Sequence, residues 1–421
     1  MSTEIFEVNG VTVANVKNKS GIALFGIAVR AGSNYETPDI AGISHFAEHM
    51  FFKRTKTRNW RQINEEFAKL GVNNNAYTDN TEVFYHTTCP KENMSKVIAL
   101  MMDMFFNSTY PEDELEKERG VIMEEKKMYD DDHRAFFSSQ IGDNFFVWHL
   151  GHETIGTAET IASISREQIV DYLNQKVSLD NLIFICCGDI DSNDLRKYLE
   201  DNMPTNHPYI DPKRVGVNGM SDGLWTGFTD KSDKIKLIVE REGVTQATIH
   251  SINDNLPSSD PLYHHSNILT EALGGGMYSL LFSRIREELG LCYSVGCFGN
   301  FMSYPDKRTF NIYSSVATKN VQKYIDEVEK VIEDVVKNGI SKDIFECAKT
   351  DNFSSVLRAT ETSAGLSMFM VSKILTRRNA SIEDTLDKIR AVDLDGCNQL
   401  AKKMFSKPRN WAVMIPKGES I

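Results

Sequence analysis

The segment "GISHFAEHMFF" brings two histidines and a glutamate, His45, Glu48 and His49, into a short and otherwise mainly apolar stretch. At helical spacing these three side chains share one face of the segment. Burying polar groups on such a face is costly unless something binds them. Because imidazole nitrogens and carboxylate oxygens are typical ligands of catalytic Zn²⁺, the segment predicts a metal-binding helix.

The order HxxEH is the reverse of the commoner HExxH and is the inverzincin signature. His45 and His49 would supply two ligands, and Glu48 is placed to take a proton from water. The alternative is a helix whose two histidines lie at the edge of the core and whose glutamate pairs with a lysine. A third ligand decides between these interpretations. The acidic helix "EKERGVIMEEKKMYDDD" offers Glu118 and Glu125, two turns apart on one face, and either could complete the site.

With these residues the chain resembles the M16 metallopeptidases, the group of pitrilysin, insulin-degrading enzyme and the mitochondrial processing peptidase. Their HxxEH motif is followed by a ligating glutamate at the separation at which Glu125 stands here. The resemblance therefore implies a Zn²⁺ site formed by His45, His49 and Glu125, with Glu48 as the general base. It also implies that Glu118 is the family's auxiliary acid, which supports the site from one helical repeat earlier.

Two further segments match the family. "NNNAYTDNTEVFYHTTC" resembles its edge strand, in which the backbone of an Asn-Ala pair binds the peptide, and Asn75 and Ala76 match that pair. From the residues alone an ordinary β-hairpin is the simpler interpretation, whereas the resemblance favours strand addition. "GGGMYSLLFSRIREELGLCYSVGC" resembles the family's second-half motif, and Arg286 and Tyr293 match an arginine and a tyrosine that reach the substrate and the oxyanion. Both side chains donate hydrogen bonds, which fits that role. From the residues alone, Arg286 would be an exposed helix residue paired with Glu287 or Glu288, and Tyr293 an aromatic residue of a strand.

The order of strand-like and helix-like segments predicts an α+β protein with a duplicated unit, because each half opens with strands and ends on a helix followed by a buried strand. We expect two homologous α/β-roll domains, each a mainly antiparallel sheet packed with helices. The zinc-binding catalytic domain is expected at 1–205, a linker at 206–229, and a substrate-binding domain without zinc at 230–421. The resemblance implies the LuxS/metallohydrolase-like fold, with one chain forming half of a clam-shell.

Composition excludes other classes of protein. A chain of 421 residues with 41% hydrophobic and 25% charged residues is an ordinary globular protein of more than one domain. No apolar run is long enough to span a membrane, and a net charge of −12 argues against nucleic acid as a partner. The N-terminal segment lacks the pattern of a secretory signal, and the seven cysteines favour reduced thiols, so we expect cytoplasmic localisation.

The resemblance implies a zinc-dependent endopeptidase that hydrolyses peptides or unfolded segments inside a chamber. The chain is similar in length to one processing-peptidase subunit, so we expect a homodimer, or else a heterodimer with an inactive homologue. Arg286 and Tyr293 would then act in cis or in trans. The alternative function is a non-catalytic binding or assembly subunit, as some members of the family have become. The complete set of ligands and the general base favour the enzyme.

Overall fold

A computed structural model describes residues 2–214, 224, 226, 234–303, 306–376 and 381–421. Contacts within the chain divide it into two compact units. The first unit holds residues 1–131, 152–219 and 359–380, and the second holds residues 132–151, 220–358 and 381–421. Residues 215–223, 225 and 227–229 of the predicted linker at 206–229 lie outside the described residues, and the predicted domain boundaries stay a prediction.

The strands, in chain order, are β1 (Ser2–Val8), β2 (Val11–Lys17), β3 (Ile22–Val29), β4 (Asn73–Thr78), β5 (Val83–Pro90), β6 (Leu182–Gly188), β7 (Ile235–Arg241), β8 (Ala247–Asp254), β9 (Cys292–Ser303), β10 (Lys307–Val316) and β11 (Asn410–Pro416). The helices are α1 (Ile43–Met50), α2 (Trp60–Lys69), α3 (Met94–Asn107), α4 (Glu112–Asp131), α5 (His133–Phe145), α6 (Trp148–Gly151), α7 (Ala158–Ser163), α8 (Arg166–Lys176), α9 (Ser192–Asn202), α10 (Tyr263–Gly274), α11 (Val321–Asn338), α12 (Lys342–Ala359), α13 (Ser363–Leu375), α14 (Ile382–Arg390) and α15 (Leu394–Met404). A π-helix covers Phe282–Glu288.

The first unit is built on a six-stranded sheet in the order β1-β2-β6-β3-β5-β4. Strands β2 and β6 run parallel, and the other neighbouring pairs are antiparallel. The central strands β3 and β6 are almost entirely buried and apolar, whereas β4 is polar and forms an edge. Helices α3 and α9 pack on this sheet over a core that includes Phe25 and Phe184. Strand β4 therefore keeps one side free of a strand partner within its sheet.

The second unit has a five-stranded sheet in the order β7-β11-β8-β10-β9. Strands β7 and β11 run parallel and the other pairs are antiparallel. This order and these directions repeat those of β2, β6, β3, β5 and β4 in the first sheet, to which β1 adds one edge strand. The repeat confirms the predicted α+β fold with two related units. Among the described residues, no helix is both long enough and apolar enough to cross a membrane.

The turn between β4 and β5 carries a largely buried acid, Glu82. Its carboxylate accepts a hydrogen bond from the Thr81 hydroxyl. Burial raises the pKa of Glu82 to about 7, and the charge of Asp79 acts in the same direction. Thr81, Arg30 and Tyr77 lower the pKa but do not offset the burial. The folded protein therefore holds a proton on Glu82 at a pH at which the unfolded chain has released it.

We expect the contribution of Glu82 to the free energy of unfolding to fall as the pH rises from 4.5 to 7, since its folded-state pKa lies above its ordinary value. Glu82→Gln removes the cost of burying a charged carboxylate. It should raise the unfolding free energy at pH 8 by roughly 1–3 kcal/mol, with little effect at pH 4.5. Urea denaturation across this pH range measures it. Glu65→Gln is the control, because the hydrogen bond from Lys69 lowers the pKa of that exposed acid. A pH dependence that is unchanged by Glu82→Gln would contradict the assignment.

Candidate metal centre

The N-terminus of α1 is fixed by a buried acid and a left-handed glycine. Glu36 accepts hydrogen bonds from the backbone N–H groups of Gly42 (2.7 Å) and Ser44 (2.9 Å), and His152 Nε2 lies 3.1 Å from its Oε2. Gly42 has φ +90°, and a Cβ there would lie 2.3 Å from the Ile155 carbonyl oxygen. Because the start of the helix lies so close to its neighbours and has a positive φ, only glycine fits this position.

Helix α1 has one apolar face and one polar face. Ile43, Phe46 and Met50 are buried in a core that also includes Leu115 and Ile122 of α4. The predicted site residues lie on the remaining face, as the spacing of the motif requires. Packing of the apolar side chains holds α1 beside α4, and His45 and His49 lie within reach of the acids of that helix.

The structure brings His45, His49 and Glu125 together, with one ligand atom of each within 4.8 Å of the others. His45 Nε2 lies 3.7 Å and His49 Nε2 lies 3.4 Å from Glu125 Oε2. Glu124 is directed elsewhere: its side chain is 74% exposed and bonds to Lys127. Of the two adjacent acids, Glu125 is the one positioned to complete a ligand set.

These separations fit a tetrahedral Zn²⁺ ion. Ligand atoms placed ~2.1 Å from a common centre at tetrahedral angles lie roughly 3.4 Å apart. Two imidazoles and one carboxylate are also an established donor set for catalytic zinc, which keeps a fourth position for water. The remaining ring nitrogen of His45, Nδ1, is buried without a hydrogen-bond partner. No other group of metal-binding side chains in the described part of the chain has this compactness.

Glu118 supports one of the two histidines from behind. Its Oε2 lies 3.1 Å from His49 Nδ1, and its Oε1 accepts a hydrogen bond from Lys53. Burial raises the pKa of Glu118, but His49 and Lys53 outweigh burial and hold the pKa below its ordinary value. An anionic partner on Nδ1 fixes the orientation of the ring and makes Nε2 a stronger ligand.

The pKa values of the two histidines are shifted in opposite directions. Burial, followed by the charge of His49, lowers the pKa of His45 to about 4, although Glu125 acts in the opposite direction. Burial also lowers the pKa of His49, but Glu118 and Glu125 outweigh burial and raise it to about 9. Because a metal binds neutral imidazole, an ion at this site competes with the proton of His49.

Glu48 and Glu125 are each influenced by a hydroxyl group that the sequence did not reveal. The Thr78 hydroxyl donates a hydrogen bond to Glu48 Oε2 at 2.7 Å. Burial raises the pKa of Glu48, and the bond from Thr78 acts against this. His49 is the main group that lowers the pKa of Glu125, and Tyr129 also contributes to this lowering. Tyr129 follows Glu125 by one helical turn, so its spacing was a usable signal, whereas Thr78 is distant in sequence.

Asn75 and Ala76 lie on β4, which is an edge of the first sheet. They pair across the sheet with His86 and Tyr85 of β5. The Ala76 N–H donates a hydrogen bond to the Asn75 side-chain oxygen at 2.9 Å. A peptide strand that used this N–H would therefore displace the amide of Asn75.

Arg286 and Tyr293 belong to the second unit, where the π-helix is followed by β9. Arg286 Nε donates to the Tyr293 carbonyl oxygen at 2.9 Å, and the guanidinium lies over the rings of Phe282 and Tyr293. Arg286 also forms an ion pair with Glu287. The Tyr293 side chain is 87% exposed, so its hydroxyl is accessible from solvent.

Comparison with known proteins agrees with this arrangement. The family model "Insulinase (Peptidase family M16)" matches residues 12–158, and the model "Peptidase M16 inactive domain" matches residues 163–352. The chain is 27% identical to the uncharacterized zinc protease YmxG of Bacillus subtilis over 414 residues, which is 97% of each chain. It is 28% identical to an uncharacterized zinc protease of Rickettsia bellii over 98% of this chain and 97% of that protein.

Two solved structures have the same fold. A peptidase M16 inactive domain from Pseudomonas fluorescens matches with a TM-score of 0.86 at 16% identity, covering 100% of both chains. A protease from Helicobacter pylori matches with a TM-score of 0.83 at 19% identity, covering 99% of both chains. This chain belongs to peptidase family M16.

We expect Glu118→Gln to weaken zinc binding roughly 10- to 100-fold, because the anionic partner of the His49 ring is lost. Competition with a chromogenic chelator measures the affinity. The matched control is Glu114→Gln on the same helix: Glu114 is 6% exposed and Glu118 8%, and Glu114 bonds to Lys117 rather than to a histidine. Equal zinc affinity of the wild type and Glu118→Gln would contradict this role.

Proposed function

We propose that this chain is a zinc-dependent endopeptidase that hydrolyses peptides or unfolded segments. The observation that carries the proposal is the convergence of His45, His49 and Glu125. Glu48 lies on the same face of α1 as the two histidines. The names of the B. subtilis and R. bellii relatives, both called zinc proteases, support the same reaction.

His45, His49 and Glu125 would hold the Zn²⁺ ion, and Glu118 would orient His49 from behind. When bound, the ion supplies Lewis acidity, which lowers the pKa of water and polarises a carbonyl group. The chain contributes three fixed ligands, so one position stays open for water and substrate.

Glu48 is the general base in this proposal. Its carboxylate accepts a proton from the attacking water and then passes it to the nitrogen of the leaving amine. Burial raises the pKa of Glu48, which increases its affinity for the proton that it must carry between these two steps. The exposed Glu124 has no comparable environment, since its side chain pairs with Lys127 in solvent.

The substrate would bind as an added strand along β4, through the backbone at Asn75 and Ala76. Recognition through the main chain is tolerant of side chains and requires an extended peptide, so it selects peptides and unfolded segments. Arg286 and Tyr293 would donate hydrogen bonds to the carbonyl oxygen as negative charge develops on it. Homodimer formation and cytoplasmic localisation stay predictions from the sequence.

We expect Glu48→Gln to lower kcat by roughly 10²- to 10⁴-fold, because the amide cannot accept the proton, while zinc stays bound. An internally quenched peptide measures the rate, and atomic absorption measures the zinc content. Glu124→Gln on the neighbouring helix should leave both unchanged. A zinc-loaded wild type that cleaves no member of a mixed peptide library, alone or with a partner, would favour the binding or assembly subunit instead.

Tyr293→Phe removes a single hydroxyl donor and should lower kcat by about 10- to 10³-fold, because the oxyanion loses a hydrogen bond. Zinc affinity should not change, since Tyr293 is not among the metal-binding group. Tyr313→Phe is the matched control: Tyr313 lies on β10 of the same sheet and is 47% exposed. If both variants cleave peptide at the wild-type rate, Tyr293 has no part in the reaction.

A further inference from the structure

The general base and the peptide-binding strand are joined by one hydrogen bond. Thr78 is the last residue of β4, and its hydroxyl donates to Glu48 Oε2 at 2.7 Å. Thr78 is distant from the HxxEH motif in sequence, and in the described structure its hydroxyl forms no hydrogen bond with His45, His49 or Glu125.

The position of the Thr78 hydroxyl is fixed by the sheet. Thr78 pairs with Val83 and Tyr77 pairs with Phe84, so the register of β4 against β5 is defined up to the turn. Alternate residues of a strand face opposite sides, and Tyr77 packs its ring against Phe84. Thr78 therefore lies on the other side, toward α1 and Glu48. A β-branched side chain has few χ1 rotamers, which restricts its hydroxyl further.

The Glu48 carboxylate needs such a restraint. The terminal torsion of a glutamate is broad, so the two oxygens exchange readily unless one of them is held. His49 and Glu125 both act electrostatically on this carboxylate. The bond from Thr78 occupies Oε2, and Oε1 accepts no hydrogen bond from the described residues. One oxygen is thus anchored and the other is available for the proton.

We propose that Thr78 is a positioning residue of the peptidase: its hydroxyl fixes the Glu48 carboxylate and ties the general base to the strand that binds the peptide. This inference rests on the proposed function. The positioning role requires the hydroxyl itself, whereas a purely structural role of Thr78 would require the methyl group and the shape of the side chain.

Three variants separate these roles. Thr78→Val keeps the branched shape and removes the hydroxyl, Thr78→Ala removes both, and Thr78→Ser keeps the hydroxyl alone. We expect kcat to fall roughly 10- to 100-fold in Thr78→Val and Thr78→Ala. Thr78→Ser should stay within about 3-fold of the wild type, because the donor is retained. KM should not change, since strand addition uses the backbone of β4.

Zinc affinity, measured by chelator competition, is the second readout. It should be the same in all three variants as in the wild type, because the Thr78 hydroxyl forms no hydrogen bond with the three candidate ligands. Thr88→Val is the matched control. Thr88 lies on β5, pairs with the first residue of β4, and places its hydroxyl 3.5 Å from the Asn73 carbonyl oxygen. Its rate should equal that of the wild type.

The inference is overturned if Thr78→Val keeps the wild-type kcat, if Thr78→Ser is impaired as much as Thr78→Val, or if zinc affinity falls in parallel with the rate. Failure of the proposed function gives a different result. In that case the zinc-loaded wild type cleaves no peptide, and both the function and the role of Thr78 are overturned together. An active wild type with an unimpaired Thr78→Val overturns the inference alone.

Discussion

The candidate site depends on the packing of one short helix, α1, against α4. A helix of this length is not stable in isolation, so its orientation comes from its neighbours. Phe46 and Met50 are buried with Leu115 and Ile122, and each such side chain contributes roughly 1.5–3 kcal/mol on burial. Glu36 holds the N-terminus of α1 through backbone hydrogen bonds. With the apolar side chains fixed in this way, the HxxEH motif is held beside Glu118 and Glu125 of α4.

Three carboxylates lie near the two imidazoles, and their negative charges repel one another. The structure gives each carboxylate a different partner. The pairs are Lys53 with Glu118, Thr78 with Glu48, and Tyr129 with Glu125. An ammonium group keeps the first acid charged behind a histidine, and a hydroxyl holds the second by one oxygen. The third lies next to both candidate histidine ligands. The different partners therefore distinguish the proposed supporting acid, general base and ligand within a small volume.

The two units share the order and directions of their sheet strands, but the functional side chains on equivalent elements differ. Strands β4 and β9 occupy the same edge position in their sheets. The first edge runs beside α1, which carries the HxxEH motif, and the second follows the π-helix that carries Arg286. Among the described residues the compact group of side chains that could hold a metal ion occurs in the first unit alone. A fold does not define a site, and in this chain the sites differ because the side chains on equivalent elements differ.

The sequence by itself determined the features that local geometry controls. Helical spacing placed His45, Glu48 and His49 on one face and placed Glu118 and Glu125 two turns apart, and strand-then-helix order indicated a duplicated α+β unit. Spacing alone left open which acid meets the histidines; the family resemblance selected Glu125, and the structure brings it to them. Only tertiary structure assigned residues 132–151 to the second unit and 359–380 to the first. It also decided the contact between Thr78 and Glu48, because strand register and helix packing are long-range properties that no local pattern encodes.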